Sequence, residues 1–114
     1  MKYLFALLVL SAQVFAVENR IEIIIVTPPE ILLSPGQTQQ MRAYGYYSDG
    51  SVTDLSSQVT WSSIESSIAI VSKTGLVTMK GAGTALIKAT LKGFKGYGTV
   101  WNKFTPFIRV KPST

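Results

Sequence analysis

Turn residues punctuate this chain every few positions, and beyond residue 16 no stretch keeps a helical period over ten residues. Short β-rich runs lie between the turns. The run "RIEIIIV" is dense in β-branched residues and stops at Pro28-Pro29, which cannot donate to a ladder. "EILL" follows, then the turn signal Ser34-Pro35-Gly36. In "TQQMRAYGYY", Met41, Ala43, Gly45 and Tyr47 fall on one face and read as core. Gln40, Arg42, Tyr44 and Tyr46 fall on the other. "SDGS" is a hairpin signal, with φ > 0 expected at both Asp49 and Gly50. Val59 and Trp61 share a face in "QVTWSS", as do Ala69 and Val71 in "SIAIVS". Val77 reads as inward, and Ala85, Ile87, Ala89 and Leu91 line one side of "TALIKATL". The chain ends with another β-rich run, "FIRV". Seven or eight short strands with frequent turns predict an all-β chain, an antiparallel β-sandwich or barrel.

The first 16 residues have a different grammar. Lys2 precedes an apolar run from Tyr3 to Ala12, and Val14-Phe15-Ala16 suits a signal peptidase. The run is shorter than the roughly 20 residues of a spanning helix. A signal peptide over 1–16 and one domain over 17–114 are therefore expected, with the mature chain beginning at Val17. No cysteine occurs, so the exported domain must hold together by packing and sheet hydrogen bonds alone. Eleven basic residues against six acidic ones give a net charge of +5. Every acid lies at or before Glu65, and eight basic residues follow it. Such an end suits an anionic neighbour or serves as a solvated surface.

The middle of the chain resembles the bacterial immunoglobulin-like domains of group 2. The carriers are Pro-Gly-Gln-Thr at 35–38, Tyr-Ser-Asp-Gly-Ser at 47–51, Asp54-Leu55, and Val59-Thr60-Trp61-Ser62-Ser63. Ile68-Ala69-x-Val71-Ser72, Gly75-Leu76-Val77-Thr78 and Gly83-Thr84-Ala85 continue the series. The order and spacing hold from about residue 21 to residue 90. The resemblance implies an immunoglobulin-like sandwich of about seven strands that serves as a structural or binding module, with no shared active site. Trp61 is expected between the sheets, near Ala69, Val77, Ile87 and Ala89. The family usually occurs in tandem on surface proteins, whereas a single domain is expected here, with a longer segment after residue 90 forming an extended last hairpin.

The absence of histidine and cysteine removes the usual metal ligands and the commonest general base. Asp49 and Asp54 form the one close acidic pair; calcium binding is the sharper reading and turn formation the better one. No nucleophile-elbow or phosphate-loop pattern occurs, so neither an enzyme nor a cofactor is expected. Residues 92–107 are the unusual stretch, with five aromatics, three lysines, three glycines and no acid. They read as a long last hairpin with bends or bulges at its glycines, or as an element projecting Phe94, Tyr97, Trp101 and Phe104 toward a partner. Stacking on nucleic acid would use the same residue types, but export argues against it. The expected partner-binding residues are Lys92, Phe94, Lys95, Tyr97, Trp101, Lys103 and Phe104. The function expected is that of a non-enzymatic exported module, an accessory subunit of a multi-protein envelope assembly in the periplasm or at the outer membrane. The alternatives are a secreted or surface adhesion module binding protein or glycan, and a phage decoration protein.

Overall fold

The computed structural model describes residues 18–102, so the expected leader and the run 107–110 lie outside the described residues. All regular elements described are strands: β1 (Ile21–Thr27), β2 (Glu30–Leu32), β3 (Thr38–Gln40), β4 (Arg42–Tyr47), β5 (Val52–Asp54), β6 (Thr60–Ser63), β7 (Ala69–Val71), β8 (Leu76–Met79), β9 (Thr84–Leu91) and β10 (Phe94–Trp101). Ten elements replace the seven or eight expected. The ladder lapses at Met41, which splits one expected run into β3 and β4, and β5 is a strand that the run pattern did not mark. Pro28 and Pro29 part β1 from β2, as the sequence implies.

The strands form two layers. One is the sheet β2-β10-β9-β6. The other joins β1-β4-β5 to β3-β8-β7, because β3 and β4 are successive pieces of one run. β1 is antiparallel to β4 in the second layer. After Thr27 the chain changes layer, and β2 pairs with β10 in parallel. The Thr27–Pro28 peptide bond at this crossing is cis. Asn102 ties off the end of β10: its side-chain amide donates to the Leu33 carbonyl at 3.1 Å and its backbone N–H to the Gly83 carbonyl at 2.9 Å.

Alternation decides which residues meet between the layers. Met41, Ala43, Ala69, Val77, Ala85, Ile87, Ala89 and Val100 are buried, as the period-two reading expects for the first seven. Trp61 is 8% exposed and lies in the same core as Ala69, Val77, Ile87 and Ala89. Its indole N–H donates to the Ser56 carbonyl at 3.0 Å, which satisfies the ring's polar atom at the edge of the core.

Two hairpins differ from expectation. At Asp49-Gly50 only Gly50 has positive φ (87°). Gly50 N–H donates to the Tyr47 carbonyl and Tyr47 N–H to the Ser51 carbonyl. The loop is thus a three-residue turn closed by a glycine in the left-handed region, not a two-residue one. The Asp49 carboxylate explains the choice, since it accepts the Ser51 N–H at 2.8 Å and caps the wider loop. The two-residue turn with both φ positive occurs instead at Lys92 (53°) and Gly93 (86°), joining β9 to β10.

Candidate functional site

Residues 92–101 are a sheet strand and its turn, not a projecting loop. β10 pairs with β9 without a break in register, from Phe94 opposite Leu91 to Trp101 opposite Thr84. The expected bulges at the glycines are absent from this ladder. Gly96 and Gly98 instead face inward, where β1 and Met41 leave no room for a side chain. A Cβ on Gly96 would lie 2.6 Å from the Ile24 carbonyl oxygen, and one on Gly98 2.6 Å from Met41 Cε. These glycines let the two layers approach; they do not let the strand change shape.

That parity sorts the expected binding residues. Lys95, Tyr97 and Trp101 share the outward face of β10, where Tyr97 is 47% exposed, Lys95 is exposed and Trp101 half-buried. Phe94 falls on the inward face with Gly96, Gly98 and Val100, and its 36% exposure comes from its place at the hairpin end. Lys92 is exposed in the turn itself. Lys103 and Phe104 lie outside the described residues.

Neighbouring strands complete the outward face in register. Leu32 lies opposite Trp101, and Leu86 opposite Thr99. The Ile64 N–H donates to the Leu86 carbonyl, bringing Ile64 alongside. Leu32, Leu86 and Ile64 are all exposed. The rest of the face is polar: Thr84, Thr99 and Glu30 beside the apolar residues, then Lys88, Ser62, Thr60, Thr90 and Lys95 toward the Lys92 turn. Glu65 turns back into the fold, where its carboxylate accepts the Leu86 N–H at 3.0 Å. The result is an apolar end and a cationic end on one side of one sheet. Leu32, Leu86 and Ile64 were not singled out by sequence reasoning. The signal was available for Leu86, the one large apolar residue on the outward side of "TALIKATL".

The opposite layer has an apolar outer face of its own. Ile23 lies opposite Tyr46, which lies opposite Val52, and in the next row Ile25 lies opposite Tyr44. Tyr44 and Tyr46 read as outward from sequence. Ile23 and Ile25 did not, because three consecutive isoleucines hide the alternation and the register shifts between Ile21 and Ile23. The two aspartates serve separate turns. Asp54 accepts the N–H and hydroxyl of Ser56 and lies 3.6 Å from Arg42. Hydrogen bonds from Ser51 hold the Asp49 carboxyl below the usual carboxylate range, and those from Ser56 do the same for Asp54. Among the described residues no three potential metal ligands come together.

Comparison with known proteins places this geometry. The family model for the bacterial Ig-like domain (group 2) matches residues 21–100 and so takes in β10 to its penultimate residue. A curated relative, Ice-binding protein 1 of Shewanella frigidimarina (strain NCIMB 400), is 45% identical over 67 residues. Those residues are 59% of this chain and 8% of that protein, so the chain corresponds to a small part of its relative.

Proposed function

Because the chain belongs to the bacterial immunoglobulin-like domain family, group 2, we propose that it is a non-enzymatic module that docks on another protein, as an accessory subunit of a multi-protein assembly at the bacterial envelope. One observation carries this reading. The four-stranded sheet keeps Tyr97, Leu86, Leu32 and Ile64 exposed on one side while Ala85, Ile87, Ala89 and Val100 fill the core from the other. Grouped apolar side chains that the core does not need mark an interaction surface. Aromatic rings among them add contact area at low entropic cost. Lys88, Lys92 and Lys95 at the far end favour a partner with an acidic rim. Domains of this family are typically extracellular and non-enzymatic, and the leader expected over 1–16 agrees with export.

The test compares the native protein with Tyr97→Ser and Leu32→Ser variants as baits in detergent extracts of the source envelope. A partner captured in fixed proportion by the native protein and lost from both variants supports the reading, provided their unfolding midpoints stay close to the native one. Capture unaffected by either change sinks it. Phe94 is unsuitable for this purpose, since its inward parity confounds binding with stability.

A second reading comes from the name of the relative, which binds ice. Thr60, Thr84, Thr90 and Thr99 share the outward face of this sheet. Their hydroxyl and methyl groups could present an ordered surface to water. Lys88, Lys95 and Glu30 interrupt it. Partitioning of the isolated protein into a growing ice front tests this; exclusion from the ice rejects it.

A further inference from the structure

We propose that the free edge of β6 takes up an extended, acidic segment of a partner protein, which adds to the sheet as a fifth strand. This edge is separate from the outward face described above. In the order β2-β10-β9-β6, β6 is terminal. The register with β9 fixes which of its backbone groups are used. Ile64 N–H bonds to Leu86, so Ser62 and Thr60, two and four residues earlier, also turn their amides toward Lys88 and Thr90. Trp61 and Ser63 turn theirs off the sheet. Among the described residues no backbone hydrogen bond meets them on that side.

Edges are ordinarily blunted by charge, proline, a bulge or a covering element. Elsewhere in this fold they are. β1 packs against β10 at Gly96, β2 follows Pro28-Pro29, β5 holds Asp54, and β7 is three residues long with Lys73 and Lys80 beyond its ends. The sequence of β6, Thr60-Trp61-Ser62-Ser63, carries no charge and no proline, and its register with β9 has no bulge.

A groove of about 350 Å³ runs along the start of this edge, lined by Ser57, Val59, Thr60, Trp61 and Lys73. No β9 residue lines it. Val59 and Trp61 give it an apolar floor, and Lys73, exposed in the turn between β7 and β8, supplies the one charge. Strand addition draws affinity from main-chain hydrogen bonds and specificity from pockets for alternate side chains. The occupant that fits is an extended segment with an apolar residue over Trp61 and a carboxylate facing Lys73.

The probe is a short synthetic peptide alternating valine with glutamate, titrated into nitrogen-15-labelled protein, with a valine–lysine peptide beside it. The Trp61 and Ser63 amides should shift and exchange more slowly with solvent, and the lysine peptide should bind about tenfold more weakly. Lys73→Glu should weaken the glutamate peptide about fivefold and favour the lysine one. Ser63→Pro removes an outward N–H without taking a bond from β9, and should abolish binding. If it does not fold, Lys73→Glu decides. The proposal is overturned by no binding, by equal affinity for the two peptides, or by shifts confined to Tyr97 and Trp101. It is also overturned if Trp61 and Ser63 shift with protein concentration alone, which would make the occupant a second copy of this chain.

Discussion

A methyl group on Gly98 would meet Met41 Cε at 2.6 Å, Val26 Cγ1 at 3.0 Å and the Pro28 carbonyl oxygen at 3.2 Å. Two of these neighbours are side chains that can shift in part, so Gly98→Ala should destabilise by about 1–3 kcal/mol. At Gly96 the nearest atom is the Ile24 backbone oxygen, which no rotamer change moves. Gly96→Ala should therefore cost more, whereas Gly81→Ala, with 3.4 Å to the Ser67 oxygen, should be nearly silent. Urea midpoints of the three variants check this order. Trp61→Ala should cost about 3–5 kcal/mol; a change under about 1 kcal/mol would show that the ring contributes little to the core. The carboxylates supply a test by pH. Hydrogen bonds lower the folded-state values of Asp49 and Asp54 from the usual 3.8. Their contribution is present above that value and is lost as pH falls through the lowered ones. Asp49→Asn with Asp54→Asn should flatten the dependence of the unfolding midpoint on pH between about 5 and 2. Alternation made the residue-scale core readable: Met41, Ala43, Trp61, Ile87 and Ala89 could be named in advance. Gly96 and Gly98 could not, because a glycine that turns a chain and one that admits a neighbour are written with the same letter.

The turn at Lys92-Gly93 shows where elements were less legible. A left-handed conformation costs a lysine roughly 1–2 kcal/mol, and asparagine less. Lysine therefore carries no turn signal, and with three glycines nearby the hairpin resembled a loop. Asp49-Gly50 carried a strong signal and formed a wider turn, since its own carboxylate bonds Ser51. Lys92→Asn should raise stability by about 0.5–1 kcal/mol, and Lys92→Val should lower it. Thermal unfolding distinguishes the two, and equal midpoints would mean that the turn is relaxed around lysine. The break at Pro28-Pro29 was readable because proline lacks the donor. The transfer of the chain from one layer to the other was not, for nothing local says which strand β2 will join.

At the scale of the molecule the sandwich was legible, because its evidence is repeated along the whole chain and errors at single turns cancel. The proposed binding surface was not, because it is assembled across strands distant in sequence: Leu32 meets Trp101, and Ile64 meets Leu86. Residue types in 92–107 pointed to β10, yet only pairing reveals its companions. A chain ending before Phe94 should lack cooperative unfolding, because β2 loses its one partner and β9 one of its two; a sharp transition would show that β10 is an accessory. The parallel pairing of β2 with β10 also bears on load. Tension entering before Glu30 and leaving after Trp101 pulls the two strands in opposite directions along their common axis. The bonds from Thr99 N–H to the Pro29 carbonyl and from Leu33 N–H to the Trp101 carbonyl then strain together in shear, instead of opening one after another like a zip. A protein tethered at both ends would load β1 on β4 and this short clasp before the strands between them bore the force.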